Sequence, residues 1–226
     1  MSRMGVSSLA GKKCLFCAAV DSGYRETMCN RFRQVKTKEN LSLIFNARPL
    51  LDRPEPRAEL YPKYPGAIIR KEAGERVLDV MPWGIPLAMK GKQGQPLKPK
   101  PITNVRNLTS GFWKSTIARP EWRCLVPFTS FAEPKPGTAD DGRPACWWFD
   151  LPANEVAAFA GIWRPSEWGD VFAFLTCDPN PLVAPLHPKA MPVVLHSEDY
   201  DHWLNGDVDQ VCALAAPFPS QLMRVA

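Results

Sequence analysis

Four stretches of the 226-residue chain gather side chains able to do nucleophilic or acid–base chemistry. They are Met28-Cys29-Asn30-Arg31-Phe32, the run Ile102 to Thr109 around Asn104 and Arg106, the run Arg123 to Pro134 ending at Phe131-Ala132-Glu133-Pro134, and the run Asn180 to Leu195 containing His187 and Lys189. Each has a plainer reading. A lone cysteine such as Cys29 is usually a small buried hydrophobe. Asn104 and Asn107 suit turns, and Glu133 suits an exposed loop. His187 sits in a proline-bounded loop after an apolar strand, a common place for functional side chains. His196 borders a helix cap and His202 lies in an acidic helix, so both read as structural. Trp83 is by type more often core than contact surface. Cys14-Leu-Phe-Cys17 is a metal-like pair, but zinc needs further ligands at suitable spacing and none follow.

The seven cysteines (Cys14, Cys17, Cys29, Cys124, Cys146, Cys177 and Cys212) form no legible disulfide framework. They point to a reducing, cytoplasmic compartment, with Cys146 and Cys177 buried in strands. No apolar run is long enough for a membrane span. Net charge is +5, and Lys90, Lys92, Lys98, Lys100, Arg106, Lys114 and Arg119 follow one another without an acidic residue between Met89 and Arg119. That run is compatible with a polyanionic partner and equally with a solvated loop.

The elements that would position these groups are short. The 24 prolines are about twice ordinary usage and favour sheets and turns over long helices. Thr37 caps a predicted helix to Asn46, with Leu41, Ile44 and Phe45 on one face. Residues 49–66 read as an ordered loop. Strands are expected over Ala67–Ile69 and Arg76–Trp83 around Glu72-Ala-Gly-Glu75, and Lys90–Pro101 reads as a flexible basic loop. A short helix over Gly111–Ala118 precedes a buried strand at Arg123–Phe128, and Pro134–Pro144 reads as a turn-rich loop. Cys146–Leu151, Val156–Trp163 and Val171–Thr176 are close enough to pair antiparallel, and Met191–Leu195 adds a short strand. Ser197 caps a last helix, with Glu198, Asp199 and Asp201 at its positive end and Gly206 at its close. The sum is one α+β domain built on antiparallel sheet, preceded by an unpatterned segment over 1–27.

Taken together and in order, the four stretches resemble the SRAP family (SOS response-associated peptidase): Met28-Cys29-Asn30-Arg31, Asn104-Val105-Arg106, Cys124-Leu125-Val126-Pro127 leading to Glu133, and His187 to Met191-Pro192. Trp83-Gly84 is a fifth match. The resemblance implies antiparallel sheets forming a barrel-like core flanked by short helices, over residues 28–226. It implies a sensor of abasic sites in single-stranded DNA that forms a covalent thiazolidine crosslink, without cofactor or metal and as a monomer.

That chemistry requires Cys29 at the chain terminus, since only a terminal cysteine offers an α-amine beside its thiol. An α-amine of pKa ~7.7–8.0 is partly neutral at pH 7, and a thiol near ~8.5 ionises more readily beside a cation. The resemblance makes Cys29 the nucleophile, Asn104 its orienting group, Glu133 a proton carrier and His187 the general acid/base of sugar opening and adduct reversal. Arg31, Arg106 and Lys189 become phosphate contacts, and Trp83 a stacking platform. Residues 1–27 must then be absent, through translation from Met28 or by self-cleavage. Three other readings use the same residues: a thiol autopeptidase without a DNA role, a noncovalent single-strand DNA-binding module, and a relative kept for a structural role.

Overall fold

A computed structural model describes residues 30–226. Cys14, Cys17, Met28 and Cys29 lie outside the described residues.

The architecture is α+β, with most strands paired antiparallel and a few short helices. The larger sheet runs Met191–Pro192, Gly169–Cys177, Ala157–Ser166, Arg123–Phe128, Pro65–Glu72, Glu75–Pro82 and Arg48–Pro49. Asn104–Val105 lies parallel to Gly169–Cys177, and Val194–Leu195 pairs with Ala157–Ser166. The smaller sheet runs Arg224–Val225, Pro144–Asp150, Ser130–Thr138, Arg31–Arg33 and Glu59–Leu60. Both are open at their edges, so the expected barrel-like closure does not occur.

Strand alternation explains how the sheets meet. In Arg31-Phe32-Arg33 only Phe32 points inward. Its ring meets Trp83 edge-on at 4.9 Å and lies 5.8 Å from both Phe159 and Phe174. Phe128 stacks on Phe159 at 3.9 Å, extending the aromatic core. Gln34, buried at the junction, donates from Nε2 to the carbonyls of Ala67 and Pro127 and accepts from the Ala67 N–H. One amide thus binds the chain after the small sheet's strand to two strands of the large one.

The helix forms at Lys38–Phe45 because Thr37 accepts from the Asn40 N–H, and it stops where Asn46 turns left-handed at φ 46°. Leu41 and Phe45, four apart, are buried, whereas Ile44 faces solvent. The expected Lys90–Pro101 loop is largely strand: Pro96–Ile102 pairs antiparallel with Ile85–Lys90 in a separate ribbon. Prolines are tolerated there because a two-stranded ribbon leaves both outer edges unpaired. At its root Gly84 (φ 123°) passes so close to Pro101 that a Cβ would stand 2.7 Å from the proline ring. The expected Pro134–Pro144 loop is likewise mostly strand, since Ser130–Thr138 runs on past a register shift. Pro144–Asp150 pairs with it in the small sheet and does not join Ala157–Ser166 as expected. Cys177 is buried as expected, but Cys146 is half-buried, on an outward face. The helix expected from Ser197 begins one residue early, with His196 at the cap of a 3-10 turn before Tyr200–Asn205, and a further helix, Val208–Ala213, follows it.

Candidate active site

The same alternation that buries Phe32 and Phe131 also turns Glu133 inward, since Phe131 and Glu133 are two apart on Ser130–Thr138. Glu133 is only 1% exposed. Opposite it is the loop between Gly169–Cys177 and Met191–Pro192. Asn180 shapes this loop: its Oδ1 accepts from the N–H groups of Leu182 and Val183, and its Nδ2 donates to the Phe218 carbonyl. The turn then places His187, whose N–H bonds the Val183 carbonyl. The His187 ring is buried, with Nδ1 2.9 Å from the Ala190 carbonyl oxygen and 3.3 Å from Glu133 Oε2. A carbonyl only accepts, so Nδ1 carries hydrogen and, in the neutral ring, Nε2 is the basic nitrogen.

Asn104 enters from the large sheet and is buried. Its Nδ2 donates to Thr103 Oγ1 at 2.8 Å, and Thr103 Oγ1 donates to Asn30 Oδ1 at 3.5 Å. The Thr103 carbonyl in turn accepts from Trp83 Nε1 at 3.1 Å. Thr103 and Asn180 were missed as positioning residues. Both lie in the singled-out stretches, but their partners are 73 and 38 residues away in sequence, which no local pattern reveals.

Trp83 must be corrected. It is fully buried, in contact with Phe32 and stacked on Phe174 at 5.2 Å, so neither ring face can stack on a base. It anchors the strand carrying Asn104 instead. Arg31 is mostly buried and paired with Glu59 at 2.6 Å, its guanidinium also lying 5.1 Å from the Trp148 ring and 5.4 Å from Tyr61. Burial pulls the Arg31 pKa down, but bonds to Glu59 and Cys146 more than offset this and leave it raised. Burial likewise pushes Glu59 up, yet hydrogen bonds from Tyr61, Arg31 and Arg33 bring it below the ordinary carboxylate value. Arg106 is exposed beyond Asn104 and pairs with Asp178, and Lys189 is exposed two residues past His187. Glu133 and His187 therefore meet, Asn104 is joined through Thr103 to the chain entering at Asn30, and Arg106 and Lys189 lie outside on the segments of Asn104 and His187.

A buried carboxylate beside an imidazole is an arrangement able to exchange protons with a group brought against it. The family described as SOS response associated peptidase (SRAP) matches residues 28–226, and the chain belongs to it. Membership ties the protein to the response to DNA damage. The fold is similar to that of a Bordetella bronchiseptica protein at 24% identity and TM-score 0.67, over 88% of this chain and 98% of that one. A Bacteroides thetaiotaomicron protein is similar at 17% identity and TM-score 0.66, over 87% and 90%. A phage-related protein of Bordetella bronchiseptica is similar at 23% identity and TM-score 0.62, over 87% and 92%. No curated protein matches the chain. Among the described residues no helix is long and apolar enough to cross a membrane, and no three metal-ligating side chains cluster.

Proposed function

We propose that this protein captures abasic sites in single-stranded DNA through Cys29, once the residues before it are gone. The Cys29 α-amine attacks the aldehyde carbon of the opened sugar and the adduct loses one water to give an imine. The thiol then adds across the C=N bond, forming C–S and returning a hydrogen to nitrogen, so the ring closes with no further loss. Opening the sugar needs one proton removed from its hemiacetal hydroxyl and one delivered to the ring oxygen. Glu133 and His187, adjacent and shielded from water, are suited to those transfers. Asn104 would hold the opened sugar or the amine by hydrogen bonds. Arg106 and Lys189 would contact the flanking phosphates, which position a strand without reading its sequence.

The observation that carries this reading is the entry of the chain at Asn30. The register Arg31↔Ala132 and Phe32↔Phe131, continued by one residue, sets Asn30 opposite Glu133, and Asn30 also meets Thr103, the partner of Asn104. This continuation of the register, with the Thr103 contact, supports placing Cys29 near Glu133 and Asn104.

The test is a denaturing gel of protein beginning at Cys29, incubated with an oligonucleotide carrying one abasic site. A one-to-one band that survives denaturation and disappears with Cys29→Ala is expected. A protein that binds the oligonucleotide but yields no such band refutes the reading.

A further inference from the structure

A second cleft lies away from the Glu133–His187 pair, between the helix Gly111–Ile117 and the hairpin of Ala157–Ser166 with Gly169–Cys177. Its volume is about 500 Å³, and Ala88, Ser115, Thr116, Trp122, Arg164 and Glu167 line it. Arg164 is half-buried, its guanidinium 4.5 Å from the Phe112 ring and 5.9 Å from Trp113. Burial lowers its pKa, and no neighbouring acid acts to raise it. Among the described residues it has neither an ion pair nor a protein hydrogen-bond acceptor. Arg123 shows the contrast: more deeply buried, it is satisfied by the carbonyls of Ile117, Trp203 and Gly206. A half-buried guanidinium with its donors uncommitted is suited to an anion, above all one with several acceptor oxygens.

Two further observations narrow the anion. Thr116, 1% exposed and lining the cleft, has a hydroxyl with no hydrogen-bond partner among the described residues. Arg119, exposed, lies 4.4 Å over the ring of Trp122, so a second cation adjoins an indole of the lining. The wall at Ala88 belongs to the strand Ile85–Lys90, and the ribbon carries exposed Lys90, Lys92, Lys98 and Lys100. The local acids are Glu167 on the rim and Glu121 beside Trp122, both exposed. Cations interleaved with aromatic rings beside a long basic ribbon suit a polyanion with planar groups better than an isolated anion.

We propose that this cleft seats a phosphodiester of single-stranded nucleic acid, with Arg164 as its main donor, Arg119 as a second cation and Trp122 as the wall for an adjoining base. The proposal shares its partner class with the function proposed above, but Cys29 takes no part in it. It is therefore tested on the full chain with an undamaged oligothymidine, which has no aldehyde to capture.

Fluorescence anisotropy of the labelled oligothymidine against salt is compared for the unaltered protein, Arg164→Gln and Ser115→Glu. Ser115 is exposed, so its substitution keeps the test valid if Arg164→Gln fails to fold. Expected are about tenfold weaker binding for each, and for Arg164→Gln a log–log salt slope shallower by about 0.7. Binding within twofold of the unaltered protein for the folded variants overturns the proposal. So does thermal stabilisation by inorganic phosphate that depends on Arg164 while oligothymidine binding does not, because the cleft would then serve a free anion. Loss of the covalent band with intact oligothymidine binding would refute only the Cys29 chemistry.

Discussion

The Nδ1 atom of His187 stands 3.3 Å from Oε2 of Glu133, and the two side chains reach each other from a loop and a strand 54 positions apart. The Ala190 carbonyl fixes the hydrogen on Nδ1, so the carboxylate faces the protonated edge of the ring and leaves Nε2 available as the base. The two side chains therefore face each other across one hydrogen-bearing edge of the imidazole.

Glu133→Gln keeps the shape of the side chain and removes its ability to take up or release a proton. Capture of an abasic oligonucleotide by protein beginning at Cys29 should slow by about 100-fold or more, the usual worth of a placed acid or base. His187→Gln should slow both formation and reversal of the adduct, leaving the adduct that does form longer-lived. Time courses on denaturing gels read both rates. Unchanged rates in folded variants would remove these residues from the chemistry.

Trp83→Ala empties a fully buried site and should cost about 3–5 kcal/mol, read by chemical denaturation. Trp83→Phe refills most of the volume but deletes the bond from Nε1 to the Thr103 carbonyl. It should therefore keep most of the stability yet slow capture, because the strand carrying Asn104 loses its anchor. If Trp83→Phe captures at the unaltered rate, the anchor is dispensable.

Gln34→Leu leaves the Ala67 N–H and the carbonyls of Ala67 and Pro127 without their buried partner. The expected loss is on the order of 3 kcal/mol. Equilibrium denaturation should show a lower midpoint with an unchanged slope, since the folded surface stays the same. A loss below about 1 kcal/mol would mean the junction does not depend on this amide.

Stability should fall in alkali. Burial pushes the Cys177 thiol from 9.0 to about 12 and the Tyr200 hydroxyl from 10.0 to about 12. Between those values the unfolded chain has released protons that the folded one retains, so each rise in pH favours unfolding. The contribution is whole below pH 9 and lost as pH approaches 12. Melting temperature against pH should therefore decline over that range, and less steeply in Cys177→Ala and Tyr200→Phe. An equal decline in both variants would place its origin elsewhere.

Local signals carried the parts of the fold whose causes are local. Thr37 and Asn46 bracket a helix because cap bonds involve neighbours within a turn, and Glu72-Ala-Gly-Glu75 closes a hairpin for the same reason. The ribbon at Pro96–Ile102 was hidden because its prolines read as loop, and only pairing with Ile85–Lys90 makes it a strand. Ile44 read as core by its type, but the face of the helix that packs inward is set by what lies beneath it.

The sequence by itself determined the family and named Cys29, Asn104, Glu133 and His187 as candidates for its chemistry, because motifs and functional groups are read directly along the chain. The tertiary structure decided which of them meet. Glu133 and Trp83 became buried, Arg31 became paired with Glu59, and Arg164 was left with uncommitted donors in a cleft. Those outcomes depend on sheet register and on contacts between segments tens of residues apart, and no window of neighbouring residues contains that information.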